Sequence, residues 1–312
     1  MSGQGEYAYP PSARQVVLSR ARSGPTVALR LLAADLQARR VAAGITADAA
    51  AASLGVHTMT LSRLEQAHTV PKPATVSHLL RLYGAPEAEV DAALAALSEA
   101  KQPGWWHPWR DVLPEHLAGV IDLESAADLI RAYAPAVVPE LLQTPGYARS
   151  MLLLHHPQAS PDEIDRRLEL LRVRQQQVLR RPGRTVMLWA LVEEVVLRRR
   201  VGSRSDMAEQ VEYLDRFTRD RSSGITVQVI RAADGPHPLL LSGATSILRY
   251  DHAPLADRLV IRGLHPEAAI LTEDPSAIST YLTAMDATAV IAPSPSTPLD
   301  RILNTEKDPA DD

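Results

Sequence analysis

Residues 45–66, Ile-Thr-Ala-Asp-Ala-Ala-Ala-Ala-Ser-Leu-Gly-Val-His-Thr-Met-Thr-Leu-Ser-Arg-Leu-Glu-Gln, read as two short helices joined by a tight turn at Gly55. The first begins at Thr46, whose hydroxyl can accept from an otherwise unpaired first-turn amide. Its small residues Ala50 and Ala51, with Leu54, form a face thin enough for a second helix to cross closely. Gly55 stops it, because glycine takes positive φ without strain, and Val56 is expected to plug the angle. From His57 the second helix puts Leu61 and Leu64, at i and i+3, on its inner side and leaves Thr58, Met59, Ser62 and Arg63 on the outer one. A helix-turn-helix of this kind lays its second helix in the major groove of duplex DNA.

The flanks repeat the pattern. Thr26 to Gly44 reads as a helix with apolar positions at Val27, Leu31 or Leu32, and Leu36, closed by Gly44. Pro73 to Tyr83 reads as another, with Val76, Leu79, Leu80 and Tyr83 inward and Gly84 as its stop. With the helix of "APEAEVDAALAALSEAK" these segments predict a five-helix bundle. Over roughly residues 26–98 the pattern "RRVAAGIT…AASLGVHTMTLSRLEQAHTVPKPATVSHLLRLYG" resembles the Cro/repressor-type (XRE) helix-turn-helix family. The resemblance implies that Thr58, Met59, Ser62 and Arg63 reach base edges and that Arg40 and Glu65 pair between the first and third helices; Thr46 and His57 are further candidates for DNA contact. Arg63 is the strongest candidate, since a guanidinium donates twice to guanine O6 and N7; Met59 and Thr58 would offer apolar contact to a thymine methyl or simply face solvent. One departure stands out: Ala47 occupies the place where the family often has a phosphate-anchoring glutamine, which shifts polar contact to Thr46, Ser53, His57 and backbone amides.

Net charge is −4 over 312 residues, which taken alone argues against a polyanionic partner. Its distribution argues otherwise: residues 1–84 carry nine basic and four acidic side chains, and residues 85–122 carry two and seven. Screening confines charge effects to about a Debye length, ~8 Å in physiological salt, so the local excess is what a phosphate meets. Arg14, Arg20 and Arg22 fall in an N-terminal stretch, residues 1–25, read as a flexible arm. The absence of cysteine removes disulfides and thiolate metal sites. No apolar run approaches the ~18 residues of a membrane span and the polar start is no signal peptide, so the expectation is a cytoplasmic protein with no membrane partner. Thirty arginines against three lysines point to a GC-rich genome.

A Pro103-Gly104 break sets the boundary near residues 100–104, dividing a DNA-binding unit over 26–99 from a second unit over 104–303 and an acidic tail over 304–312. Trp105, Trp106 and Trp109 follow the break and are expected to seal the start of a new core. Leu123 to Ala132 is read as a helix, "SPDEIDRRLELLRVRQQQVLRR" as a long helix capped by Ser160 with arginines in its last turn, and "TVMLWALV", "ITVQVI", "GATSILRY", "RLVIR" and "AAIL" as strands. Blocks of helices and strands make the class α+β, mostly helical. "VVPELLQTPGYAR", "RRLELLRVRQQQVL", "LVEEVVLRRRVGS", "MAEQVEYLDRF" and "AVIAPSPSTPLDRI" resemble the uncharacterised C-terminal domain of helix-turn-helix regulators from streptomycetes and their relatives. The chain departs from that pattern at Glu140, where glycine is usual, and around "RLVIRGLHPEAAIL", which lacks a tyrosine-acid pair. The resemblance implies an antitoxin-like association with a small acidic partner protein.

Chemistry in the second unit is not indicated. His155 and His156 are adjacent, as are Glu193 and Glu194, and neither pair can face one ligand from a helix; His237, His252 and His265 show no ligand spacing, and Ser242-Gly243 lacks the strand-turn-helix of a hydrolase nucleophile. Gln143, Thr144, Tyr147 and Arg149 are expected to build a structural corner. The reading is a non-enzymatic, homodimeric transcriptional regulator, without metal or cofactor, that binds double-stranded DNA and uses its second unit to sense a partner or ligand. The alternative is an antitoxin-like module that sequesters a small protein and regulates its own promoter.

Overall fold

Thr26 opens the first helix by accepting a hydrogen bond from the Leu29 amide at 3.3 Å. The computed structural model describes residues 26–180, 186–220, 222–251, 255–263 and 269–304; the proposed arm over 1–25, with Arg14, Arg20 and Arg22, lies outside them, as do His252, His265 and the tail beyond Asn304. The N-terminal bundle is α1 (Val27–Ala42), α2 (Ala47–Ser53), α3 (Thr58–Glu65), α4 (Pro73–Leu82) and α5 (Glu87–Ala100). Leu36, Leu61, Val76, Leu79, Leu80 and Val90 are wholly buried between them. At ~1.5–3 kcal/mol for each large apolar side chain removed from water, this cluster is what holds five short helices that would not form alone.

Ala50 and Ala51 let α2 and α3 close directly, and Gly55 turns the chain at φ +66°. No atom lies within 4 Å of where a Gly55 side chain would begin, so backbone conformation alone fixes glycine there. Val56 does not plug the angle: it is 38% exposed, because the alanine faces leave no gap for it to fill.

The second half is α6 (Glu115–Ala126), β1 (Leu129–Ala134), α7 (Pro145–His155), α8 (Pro161–Leu179), β2 (Met187–Glu193), α9 (Glu194–Arg198), α10 (Arg204–Arg219), β3 (Ile225–Ile230), β4 (Thr245–Arg249), β5 (Arg258–Arg262), β6 (Ala269–Thr272), α11 (Pro275–Ile291) and α12 (Leu299–Asn304). The six strands lie in the order β3-β2-β1-β4-β5-β6. β1, β2 and β3 run parallel, and β4, β5 and β6 continue from β1 antiparallel to one another. The architecture is α+β, as expected.

Two helix readings need correction. The helix expected over Leu123 to Ala132 ends at Ala126, and Leu129–Ala134 is a central strand of the sheet. α8 carries no basic residue in its last turn, because it stops at Leu179 and Arg180 follows as its cap. Its start is as read, with Ser160 accepting from the Glu163 amide.

Alternate residues of the strands face two cores. Ile130, Ala134, Leu188, Ala190, Val227 and Val229 meet the helices on one face, whereas Tyr133, Leu191, Ile230, Ile247 and Leu259 meet α11 on the other. Trp106 and Trp109 are buried with Val112, Ala118, Ile121 and Leu170 at the entrance to this half. Val27, the first residue of α1, belongs to the larger core together with Val120 and Leu123 of α6, and its amide donates to Asp122. The bundle is thus joined to the sheet-bearing half through its own first helix.

Candidate nucleic-acid interface

α3 is held from within. Leu61 and Leu64 bury its inner side, and Glu65 at its end accepts from Arg40 of α1 through Nε at 2.7 Å and Nη2 at 2.9 Å. The third guanidinium nitrogen, Nη1, donates to the Ile45 carbonyl at 3.0 Å, tying the chain before α2 into the same joint. With side chains 12% and 4% exposed, the pair is nearly dry, and the hydrogen bonds to Glu65 hold the Arg40 guanidinium above its ordinary value. Tyr83 stands beside them; burial, helped by the Glu65 charge, pushes its phenol up to about 12. Arg40, Glu65 and Gly55 therefore set where α3 sits.

The outer side of α3 is open. Met59 is 70% exposed. Thr58 is also exposed, but its hydroxyl donates to Asp48 of α2, so its polar atom is engaged within the motif. Ser62 is partly covered and accepts from Gln66 Nε2 at 3.3 Å. Thr46 accepts from the Ala49 amide at 3.1 Å, and His57 precedes α3 without capping it through its side chain. Arg63 is exposed, and its guanidinium makes no hydrogen bond or ion pair among the described residues. After α3 the chain turns through Ala67 at φ +58°, an L-residue in the left-handed region that no sequence signal announces.

Three of the six described cations of the bundle are answered inside the fold. Arg39 pairs with Asp35 and Glu89, Arg40 with Glu65, and Arg81 with Glu87. Arg30 is largely covered, and burial, with Arg258 nearby, lowers its pKa. Among the described bundle residues, Arg30, Arg63 and Lys72 have no ion pair, and of these Arg63 on α3 and Lys72, which caps α4, are exposed. The acids of residues 85–122 that seemed to form a separate negative block thus supply two of the bundle's partners, Glu87 and Glu89.

In the second half the sequence candidates scatter. Glu193 accepts from the Tyr133 hydroxyl at 2.8 Å and lies 2.8 Å from His237 Nε2, at an angle that makes no hydrogen bond. Glu194 turns away to Arg198 and the Ala232 amide. Among the described residues no group of three potential ligands could hold a metal. The corner around Gln143 and Tyr147 is structural: Gln143 donates to the Val138 carbonyl, Tyr147 accepts from the Val138 amide, and Gln210 bridges Leu142 and Thr144.

Arg174 of α8 makes two bonds to Glu124, at 2.6 and 3.0 Å, and one to Glu140; Arg262 of β5 reaches Glu140 at 3.3 Å. Burial alone would raise the Glu140 carboxyl, but the charges of Arg262 and Arg174 hold it down, to about 2. Sequence reasoning singled out Glu140 and the strand containing Arg262 as departures without connecting them; they meet here.

A bundle with this geometry defines a helix-turn-helix protein, and residues 31–93 match a helix-turn-helix domain. Such a domain points to a DNA-binding regulator. Residues 117–304 match a domain of unknown function, DUF5753, and the chain belongs to that family. No curated protein and no solved structure matches the chain. No helix among the described residues is long and apolar enough to cross a membrane.

Proposed function

We propose that the chain is a sequence-specific transcriptional regulator of the XRE type that docks α3 in the major groove of duplex DNA. It works in the cytoplasm, with residues 26–99 as its DNA-binding unit and residues 104–303 as a non-catalytic sensing unit. The observation that carries the reading is the outer face of α3, where exposed Met59 and an unpaired Arg63 stand on a helix clamped from behind by Arg40 and Glu65. The Thr58 hydroxyl is spent on Asp48, which leaves Arg63 and the Ser62 O–H as the hydrogen-bonding readers. One such bundle spans too few base pairs to be selective, so the working form is a homodimer on a two-fold site.

The test is selection of bound fragments from sheared genomic DNA, followed by titration of the enriched site and its single-base variants at several salt concentrations. Arg63→Ala is expected to relax preference at one base position by ~1–3 kcal/mol. Lys72→Ala is expected to weaken all sequences alike and to reduce the salt slope by about one. A selection that yields no two-fold motif overturns the reading, and unchanged base preference in Arg63→Ala removes that residue from it.

A further inference from the structure

Between β1, α6, α7 and α8 lies a cavity of about 670 Å³. That volume suits a small organic molecule. Its walls are mostly aliphatic, including Leu117, Ile121, Val137, Met151 and Leu171. His155 and His156 also border this cavity; α7 ends at His155, and His156 lies past it in a non-helical conformation.

The charged part of the wall is the Glu124-Arg174-Glu140-Arg262 cluster and Arg167, with Gln143, Thr245 and Ser246 also on it. The two carboxylates and two guanidiniums of the cluster cancel, and Arg167 is taken up by Glu163 at 3.0 Å and by the Val112 carbonyl at 2.8 Å. Arg174 and Glu124 satisfy one another. Arg262 does not: its guanidinium makes no hydrogen bond among the described residues and touches Glu140 only at 3.3 Å. Glu140 keeps 34% of its side-chain surface accessible, and both of its bonded contacts fall on Oε2, leaving Oε1 open beside the cavity it lines. An open donor and an open acceptor therefore stand together at the edge of an aliphatic chamber. A hydroxyl accepts from the first and donates to the second. A carboxylate would meet the ionised Glu140, and an ammonium would meet Arg174 and Arg262.

We infer that this cavity is a binding site for an uncharged, mainly aliphatic molecule bearing a hydroxyl group, with its chain among the leucines and its hydroxyl between Arg262 and Glu140. The inference deepens the sensing role proposed above, yet its test needs no DNA.

The experiment is calorimetric titration of the full-length chain with 1-octanol, octanoate and octylammonium, which share a chain and differ in head group. Saturable 1:1 binding of 1-octanol, at least about tenfold tighter than either ion, is expected. Leu117→Trp fills the chamber and is expected to abolish the heat, while Val290→Trp, on a side chain 86% exposed on α11 and outside the cavity wall, binds as the unmodified protein does. Absence of saturable octanol binding by the unmodified chain overturns the site, and tighter binding of octanoate overturns the uncharged class. Undiminished binding by a Leu117→Trp protein that unfolds at the normal temperature also overturns the site. DNA selection that succeeds while octanol fails would leave the regulator standing without this site.

Discussion

At Gly55 the requirement is for a dihedral angle and nothing else. The open space around it means that Gly55→Val meets no steric neighbour and is expected to lose ~1–2 kcal/mol, the penalty for a Cβ in the left-handed region, while Gly55→Asn loses less. Chemical denaturation of the two variants checks this; equal stability for valine and glycine would show that the turn accepts another backbone path. A second residue-scale expectation concerns Glu140. Its carboxyl titrates at about 2 in the fold against an ordinary value of 4.5, so its ionised contacts contribute stability that is complete above the ordinary value and drains away as pH falls toward 2. The stability gap between the unmodified chain and Glu140→Gln should therefore narrow steadily from pH 5 to pH 2.5. A gap independent of pH would separate the carboxyl from its guanidiniums.

At the scale of elements, α6 has two neighbours that matter. Leu117 and Ile121 border the cavity on one side, and Asp122 accepts from the first amide of α1 on the other. Asp122→Ala removes the acceptor for a buried amide, which costs ~1–3 kcal/mol. Hydrogen exchange is expected to quicken in the first turn of α1 and to stay slow in α3 and α4, which have their own core. Exchange quickening equally in all three would mean that the bundle depends on α6 throughout.

The same scale explains what the sequence could tell. The bundle was legible because its signals are local: Thr26 and Thr46 cap, Gly44, Gly55 and Gly84 stop, and the leucines recur at helical spacing. β1 was not. "LIRAYA" follows α6 with no Gly or Pro between them, and five of its six residues are buried, so the alternation that marks a strand is missing. Its buried Arg131 lies over the Trp189 ring, 4.8 Å from the centroid, and pairs with Asp286, partners far away in the chain. Arg63 and Met59 could be placed from helical phase alone, while the cavity could not be, because its walls come from segments as distant as Val112 and Gly263. The internal cancellation of the bundle's charge was hidden for the same reason: a count of residues does not say which of them touch.

The whole molecule has two recognisable halves that share material. Val27 of the bundle is part of the larger core, and Arg30 of the same helix is close enough to Arg258 of β5 for the second arginine to depress its pKa, after the larger effect of burial. Halves joined by a shared core are expected to melt together, in one calorimetric transition whose van't Hoff and calorimetric enthalpies agree. Two resolved transitions would show that the contact of α1 with α6 is too weak to couple them.

The link between Val27 and Asp122 also spans 95 positions of chain, and a ribosome makes the chain from one end. When α2, α3 and α4 have left the exit tunnel their leucines can already cluster, but the residues that anchor the start of α1 have not yet emerged. The nascent protein therefore carries a clustered α2, α3 and α4 while α1 waits for its anchor, and the order of synthesis makes the docking of α1 on α6 a late event in the assembly of the bundle.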